Sequence, residues 1–267
     1  MLRGFYTAAS GMIAQQRRQE ALSNNIANAN TPGYKADQPV VKAFPEMLMY
    51  RMGGKEIPTE RGLQFPVREP IGSLHTGAYV QEHVPNYGQG DIRDTGNATD
   101  LALIHGAIPD EAGSIFFTVQ NADGEVSYTR NGNFTVDGNG FLTTKQGYYV
   151  LDEAGDPIQT GGMEFDVTEQ GVVQAGGQAT PLGIVYAADA NALEKQGNGL
   201  FTGDAGAVPA GAGFTVRQGA LERSNVDALQ AMTQMMESYR TFETNQRVLK
   251  AYDKSLGKAV TEIARLR

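Results

Sequence analysis

Apolar residues recur at two different periods along this chain, and the period changes twice. Phe5, Ala8, Met12, Leu22, Ile26 and Ala29 fall on alternating steps of three and four, with Gln15 and Gln19 at the two intermediate positions. That is the stripe of an amphipathic helix with a polar middle. Thr31-Pro32-Gly33 is expected to stop it, because proline disfavours a helical preceding residue and glycine supplies a turn. At the other end, positions 228, 232, 235, 239, 242, 246, 249, 253, 256, 260 and 263 alternate strictly by four and three, and nine of the eleven are apolar. A 3.5-residue period held over about five heptads predicts a coiled-coil seam, since a straight surface helix drifts from such a stripe by about 20° per heptad. Gln246 and Asp253 interrupt the seam, where polar groups fix register at a cost in stability. Ser224, with Asp227 three residues later, reads as a capping box in which Asp replaces the usual Glu or Gln.

Between the helices the pattern shortens to two. Phe116 to Gln120 and Glu125 to Arg130 flank Asp123-Gly124, and Asn133 to Val136 and Phe141 to Thr144 flank Asp137-Gly138-Asn139-Gly140. Both read as hairpins, and in succession they predict a meander. Tyr148 to Leu151, Phe165 to Val167, Val172 to Val173 and Leu182 to Tyr186 extend the sheet to about residue 190. Gly203 to Gly213 reads as a surface loop leading to a last strand, Phe214 to Arg217. Residues 36 to 90 hold scattered prolines and little periodicity beyond a short apolar piece from Phe44 to Met49, which predicts an extended, mostly non-helical arm. The fold class is therefore α+β: an antiparallel, hairpin-rich all-β centre flanked by N- and C-terminal helices. The expected divisions are 1–30 and 219–267 for the helices, 31–90 for the arm and 91–218 for the β domain.

Composition narrows the function. The 33 glycines fit a turn-rich body, and no run approaches the roughly 18 apolar residues of a membrane span. Met1 to Asn30 lacks the apolar centre of a cleavable signal peptide. Without cysteine, disulfides and thiol chemistry are excluded. The net charge of −8 is uneven: residues 1 to 35 carry +3, residues 224 to 267 carry +2, and the middle carries −13. An acidic body with modestly basic helical ends argues against nucleic acid. His75, His83 and His105 are spaced by eight and twenty-two residues, which places no pair on one helix face as a metal site. Gly138-x-Gly140 and Gly197-x-Gly199 lack the residues that complete a phosphate cradle and read as turns. No catalytic, cofactor or metal residue is expected.

YTAASGM at Tyr6 to Met12, SNNIANANTPGYK at Ser23 to Lys35 and the segment from Ala220 to Leu256 together resemble the flagellar rod and hook family, the axial proteins of the bacterial flagellum. TGNATDLAL at Thr95 to Leu103, FFTV at Phe116 to Val119 and YTRNGNFTVDGNGFLTTKQGYYVL at Tyr128 to Leu151 are similar to the β-domain pattern of its rod members. One departure stands out: GAIPDEAGSI, Gly106 to Ile115, lies where rod proteins carry a short glycine turn. The opening twenty residues and AFPEML are most like rod proteins of Gram-positive flagella.

The resemblance implies a non-enzymatic subunit of the basal-body rod that assembles helically, carries torque from motor to hook and binds no cofactor. Implied partners are copies of itself, neighbouring rod and hook proteins and the flagellar type III export apparatus, with no nucleic acid and no membrane insertion. The implied location is the basal body, outside the cytoplasm. On assembly the terminal helices are expected to pair as a coiled-coil-like layer through Phe5, Met12, Leu22, Ile26, Met232, Met235, Tyr239, Phe242, Leu249, Leu256, Val260 and Ile263. Phe44 and Leu48 occupy the positions of the family's export-gate segment. Two alternatives stay open at this point: a hook-type or junction protein of the same family, and a cell-wall glycan-acting enzyme built on the plentiful carboxylates of the middle domain.

Overall fold

A computed structural model describes residues 2–57, 63–110, 112–121, 124–209 and 211–265. Helix α1 spans Leu2–Ala27 and α2 spans Ala228–Arg265. Between them run β1 (Asp37–Ala43), β2 (Met47–Ile57), β3 (Leu63–Leu74), β4 (Ala78–Pro85), β5 (Ile92–Asp94), β6 (Leu101–His105), β7 (Ser114–Gln120), β8 (Val126–Thr129), β9 (Phe134–Val136) and β10 (Leu142–Thr144). These are followed by β11 (Tyr149–Val150), β12 (Asp166–Val167), β13 (Val172–Ala175), β14 (Gln178–Pro181), β15 (Ile184–Ala187), β16 (Glu194–Gly197), β17 (Leu200–Thr202), β18 (Gly206–Ala207), β19 (Phe214–Gln218) and β20 (Ala220–Glu222). The chain forms two compact units. One comprises Met1–Ser23, Pro39–His83 and Met232–Arg267, and the other comprises Asn24–Gln38 and Val84–Ala231.

The second unit is the β body. Its main sheet runs β16-β17-β8-β7-β11-β10-β9, with β15 added to β7 and β18 to β15. Strand β7 is central because one edge pairs with β8 while the other is shared by β15 (Phe117↔Ile184) and β11 (Val119↔Val150). Every residue from Ser114 to Val119 is buried. Ile115, Phe117 and Val119 enter one apolar cluster with Leu101, Leu103, Phe134 and Leu142. Phe116 enters a second with Leu193 and Phe201. A strand covered on both faces needs a continuous apolar run instead of alternation, and SIFFTV supplies it.

Both predicted hairpins form, with Gln120 opposite Val126 and Leu142 opposite Val136. Asp123 lies outside the described residues; Gly124 takes a φ of 85° in the first turn. The meander does not form. Strand β11 inserts between the hairpins by pairing with both β7 and β10, and its two residues are too few to show a period. The sheet also does not extend simply toward residue 190, because β12, β13 and β14 make a separate three-stranded sheet. The glycine- and alanine-rich run is not wholly loop either, since Gly206 and Ala207 pair with Tyr186 and Val185. Gly197-Asn198-Gly199 is a hairpin turn in which Asn198 and Gly199 take φ of 53° and 75°, the positive pair a two-residue connection of matching twist requires. The extra residues after β6 are tied down: Gly106 donates to the Gly213 carbonyl, Tyr186 Oη donates to Asp110 at 2.8 Å, and Ile108 packs on the larger cluster.

The first unit holds the helix pair and the β2–β3 hairpin. The arm expected at residues 31–90 is organised into strands, with β1 on β4 and β2 on β3. The β2–β3 pairing runs from Met47↔Leu74 to Ile57↔Leu63, with a register shift at Met49/Tyr50. Among the described residues, no helix is long and apolar enough to cross a membrane.

Candidate assembly surfaces and the terminal clamp

In the β body, the segments that begin and end the chain's central part meet around three buried charges. Helix α1 stops at Ala27, where Asn28 turns its amide back to Asn24, and the chain bends through Thr31-Pro32-Gly33. Gly33 has a φ of 67°, and a Cβ there would lie 2.5 Å from the Arg130 carbonyl. Only glycine fits so close an approach in that conformation. The bend delivers Lys35 inward, where it is 1% exposed. Its Nζ donates to Glu222 Oε1 at 2.7 Å and to the Gly88 carbonyl at 2.8 Å. Arg130 is also 1% exposed and donates Nε to Glu222 Oε2 at 2.6 Å, with its other nitrogens on the Ile115 and Leu103 carbonyls. The Gly90 amide supplies a further bond to Glu222 Oε1.

The electrostatics follow from two cations sharing one carboxylate. Burial works to raise the Glu222 carboxyl, but the Arg130 and Lys35 charges overcome it and hold the group below the ordinary carboxylate range. Burial pushes Lys35 down, with Glu222 opposing. His105, near the cluster, is lowered from 6.5 to about 4 by burial and then by the Arg130 and Lys35 charges.

Backbone and amide bonds extend the clamp. Gly33 donates its amide to the Glu222 carbonyl, Ala36 donates to Asn225 Oδ1, and Asn225 Nδ2 donates to the Asn86 and Gly88 carbonyls. Tyr34 Oη and the Asp37 amide both donate to Asn25 Oδ1, while Lys195 pairs with Asp37 at 2.9 Å and lies 4.4 Å from the centre of the Tyr34 ring. The clamp thus binds the last turn of α1 and the approach to α2 to the body. That approach ends at Asp227, whose Oδ1 accepts from the Leu229 and Gln230 amides. Asp227 is therefore the N-cap of α2, and Ser224, expected in that place, instead accepts from the Val226 amide.

In the helical unit, α1 and α2 run antiparallel. Gly4 faces Tyr252, Gly11 faces Asn245, and Ser238 Oγ donates to the Gln15 carbonyl at 3.1 Å. A Cβ on Gly4 would stand 2.2 Å from the Tyr252 hydroxyl. The pairing face of α2 thus includes Ser238, Asn245 and Tyr252, one residue back from Tyr239, Gln246 and Asp253 of the expected stripe. The only fully buried apolar residues of this unit, among those described, are Ala8, Ala14, Ala21 and Leu22.

Three family models match the chain: flagella basal body rod protein at residues 5–35, the D1 domain of flagellar hook protein FlgE/F/G at 112–175, and the C-terminal region of flagellar basal body rod FlgEFG protein at 217–262. The chain is 43% identical to flagellar hook-basal body complex protein FlhO of Bacillus subtilis strain 168, with all of both chains covered. This chain belongs to the flagellar basal-body rod protein family. It is also 30% identical to the rod protein FlgG of Borreliella burgdorferi, covering 96% of this chain and 97% of that one. The rod protein FlgF of Escherichia coli K12 is 28% identical, with 95% of each covered. A rod-family protein is a structural part of the flagellum. The first matched region ends at Lys35 and the last contains Glu222, so the family's two terminal signatures meet in the clamp.

The expected assembly residues of this rod-family chain divide by exposure. Met235, Phe242, Leu249 and Leu256 are half-buried on α2, as are Phe5, Met12 and Ile26 on α1, and Leu22 is buried. Met232, Tyr239 and Val260 are 50%, 57% and 66% exposed, and the Ile263 side chain lies outside the described part. Phe44 and Leu48 are both exposed, and the Phe44 ring stacks on Tyr79 at 5.2 Å. Sequence reasoning missed Lys35, Arg130, Glu222 and Asn225 as individual residues, although three of the four stand inside the terminal signatures.

Proposed function

We propose that this chain is a rod subunit that stacks head to tail in a helical array, with α1 and α2 forming the continuous layer. The observation that carries this reading is the exposed strip on α2. Leu229, Met232, Met236 and Tyr239, at steps of three, four and three, remain exposed, as does Val260 further along the helix. Helices of 26 and 38 residues gain most of their stability in water by burying an apolar face. Among the described residues that face is fully buried only at three alanines and a leucine and half-buried elsewhere, and a neighbouring copy would complete the burial. A contact of this kind between different patches, repeated along a screw axis, gives an open filament.

The same array transmits torque, since each subunit is held by its neighbours through long helices. Passage through the flagellar export apparatus, with Phe44 and Leu48 as the gate segment, is part of this reading. It is supported by the exposure of both side chains and their place just after the Gly33-Tyr34-Lys35 turn.

The absence of cysteine makes the test direct. Single cysteines at Met236 or Tyr239, treated with a short bifunctional maleimide in isolated basal bodies, should give covalent dimers, since the one thiol of each subunit can bond to one neighbour. A cysteine at the exposed body residue Glu153 is the control. Dimers absent from the α2 positions, or equally abundant from position 153, would overturn the proposal.

A further inference from the structure

The clamp holds an unequal set of charges, and that inequality gives it a trigger. Lys35 and Arg130 both sit within hydrogen-bond distance of the Glu222 carboxylate, one on each oxygen, and all three side chains are at most 1% exposed. Among the described residues, the groups around Glu222 offer no substitute anion. His105 on β6 is uncharged at neutral pH, the Gly90 amide is a donor, and Asp91 before β5, Arg93 and Asp94 on β5 and Arg223 beyond β20 are exposed. Asp37 is engaged by Lys195, and Asp100 by Thr95 and Asn97.

We propose that Glu222 is a protonation latch: its charge keeps the two terminal segments locked on the β body, and its neutralisation releases them. With a neutral carboxyl, two buried cations would face each other without a counter-charge, a state far costlier than the closed one. The strain is relieved most cheaply by withdrawing Lys35, because Arg130 is fixed by two further carbonyls whereas Lys35 lies on a bend outside the strands. Withdrawal of Lys35 also strips the Gly33 bond to the Glu222 carbonyl and the Ala36 bond to Asn225. The last turn of α1 and the first turn of α2 would then lose their fixed footing. The sign is that of a carboxyl held below its ordinary value: the latch is closed above the ordinary carboxylate range and opens as pH falls through the lowered value.

The test is hydrogen exchange on the full-length chain. At pH 8, where His105 is neutral whether folded or not, Glu222→Gln imitates the protonated carboxyl. The expected result is at least about tenfold faster exchange at the Gly33, Ala36, Arg223 and Asn225 amides, with Phe116 to Val119 unchanged. Unchanged exchange at the clamp would overturn the proposal. So would equal acceleration of Phe116 to Val119, because the cluster would then be ordinary core and not a local latch. Should Glu222→Gln fail to fold, the unaltered chain is followed as pH falls below the ordinary carboxylate range, where protection of the same four clamp amides should fall at least about tenfold before that of Phe116 to Val119. Loss of both together, or no loss at the clamp, would equally overturn the latch.

Discussion

The exposed strip on α2 makes a quantitative demand on assembly. Met232, Tyr239 and Val260 retain 50%, 57% and 66% of their accessible surface in the single chain. Covering what remains would remove roughly 100 Å² from each, worth about 2.5 kcal/mol per residue and about 7.5 kcal/mol per subunit at 25 cal/mol per Å². Replacing all three by Asp forfeits that gain and adds charges to a closing interface, a loss of about five orders of magnitude in subunit affinity. The chain itself should barely respond. Each substitution lowers helix propensity by about 0.5 kcal/mol, and the charge at 260 sits unfavourably near a helix C-terminus, so the loss is about 1–2 kcal/mol confined to α2. The assay pairs thermal unfolding of the purified full-length variant with electron microscopy of basal bodies and swimming of cells carrying only that variant. The expected product is a chain with an unchanged β-body melting transition that builds no rod. Normal rods and motility would refute the reasoning, as would collapse of the β body.

Three further outcomes follow from other parts of the molecule. Phe44→Ala with Leu48→Ala should retain the chain in the cytoplasm while costing the fold only about 1–2 kcal/mol, because both side chains are exposed and the main loss is the Phe44–Tyr79 stack; normal secretion would remove these residues from the export step. His105 binds its proton less readily in the folded chain, with its value lowered from 6.5 to about 4. Its contribution is therefore complete above 6.5 and lost as pH falls toward 4, amounting to about 1–2 kcal/mol after allowance for solvent reaching the ring. His105→Gln should flatten the urea midpoint between pH 6.5 and 4, and an identical slope in the variant would exclude that assignment. Asp227→Ala should cost the start of α2 about 1 kcal/mol and speed exchange at the Leu229 and Gln230 amides, whereas Ser224→Ala should leave them protected; the reverse ranking would restore Ser224 as the cap.

The sequence shows its long-period elements and hides its short and distant ones. Both helices and both hairpins are legible because their periods or turn dipeptides repeat within a few residues. Strand β11 is not, since two residues carry no period and its place between β7 and β10 depends on partners about thirty and six residues away. The cap of α2 falls three residues beyond the expected Ser224, because Ser224 and Asp227 are equally good acceptors and only the backbone path selects between them. The charge cluster lay beyond sequence reasoning for a different reason. Lys35 and Glu222 are 187 residues apart, and Arg130 and Glu222 are 92 apart, while a lone charge in a sequence is ordinarily a solvated one.

The helix seam is the most instructive case, because the apolar stripe on α2 is real and yet the intrachain contact lies beside it. Gly4 and Gly11 are seven residues apart on α1, and their partners Tyr252 and Asn245 are seven apart on α2. Glycine lets α1 receive a bulky or polar side chain, so the contacting positions Ser238, Asn245 and Tyr252 do not stand out as apolar and a hydrophobic heptad reading passes over them. The reading settles instead on the apolar stripe, of which Met235, Phe242, Leu249 and Leu256 are half-buried while Met232, Tyr239 and Val260 remain exposed. A helix that used its strongest apolar positions to hold α1 would have only polar surface left for a neighbour. Here small and polar positions contribute to the register of the pair, and the part of the apolar stripe that stays exposed is the surface on which the proposed contact between copies rests.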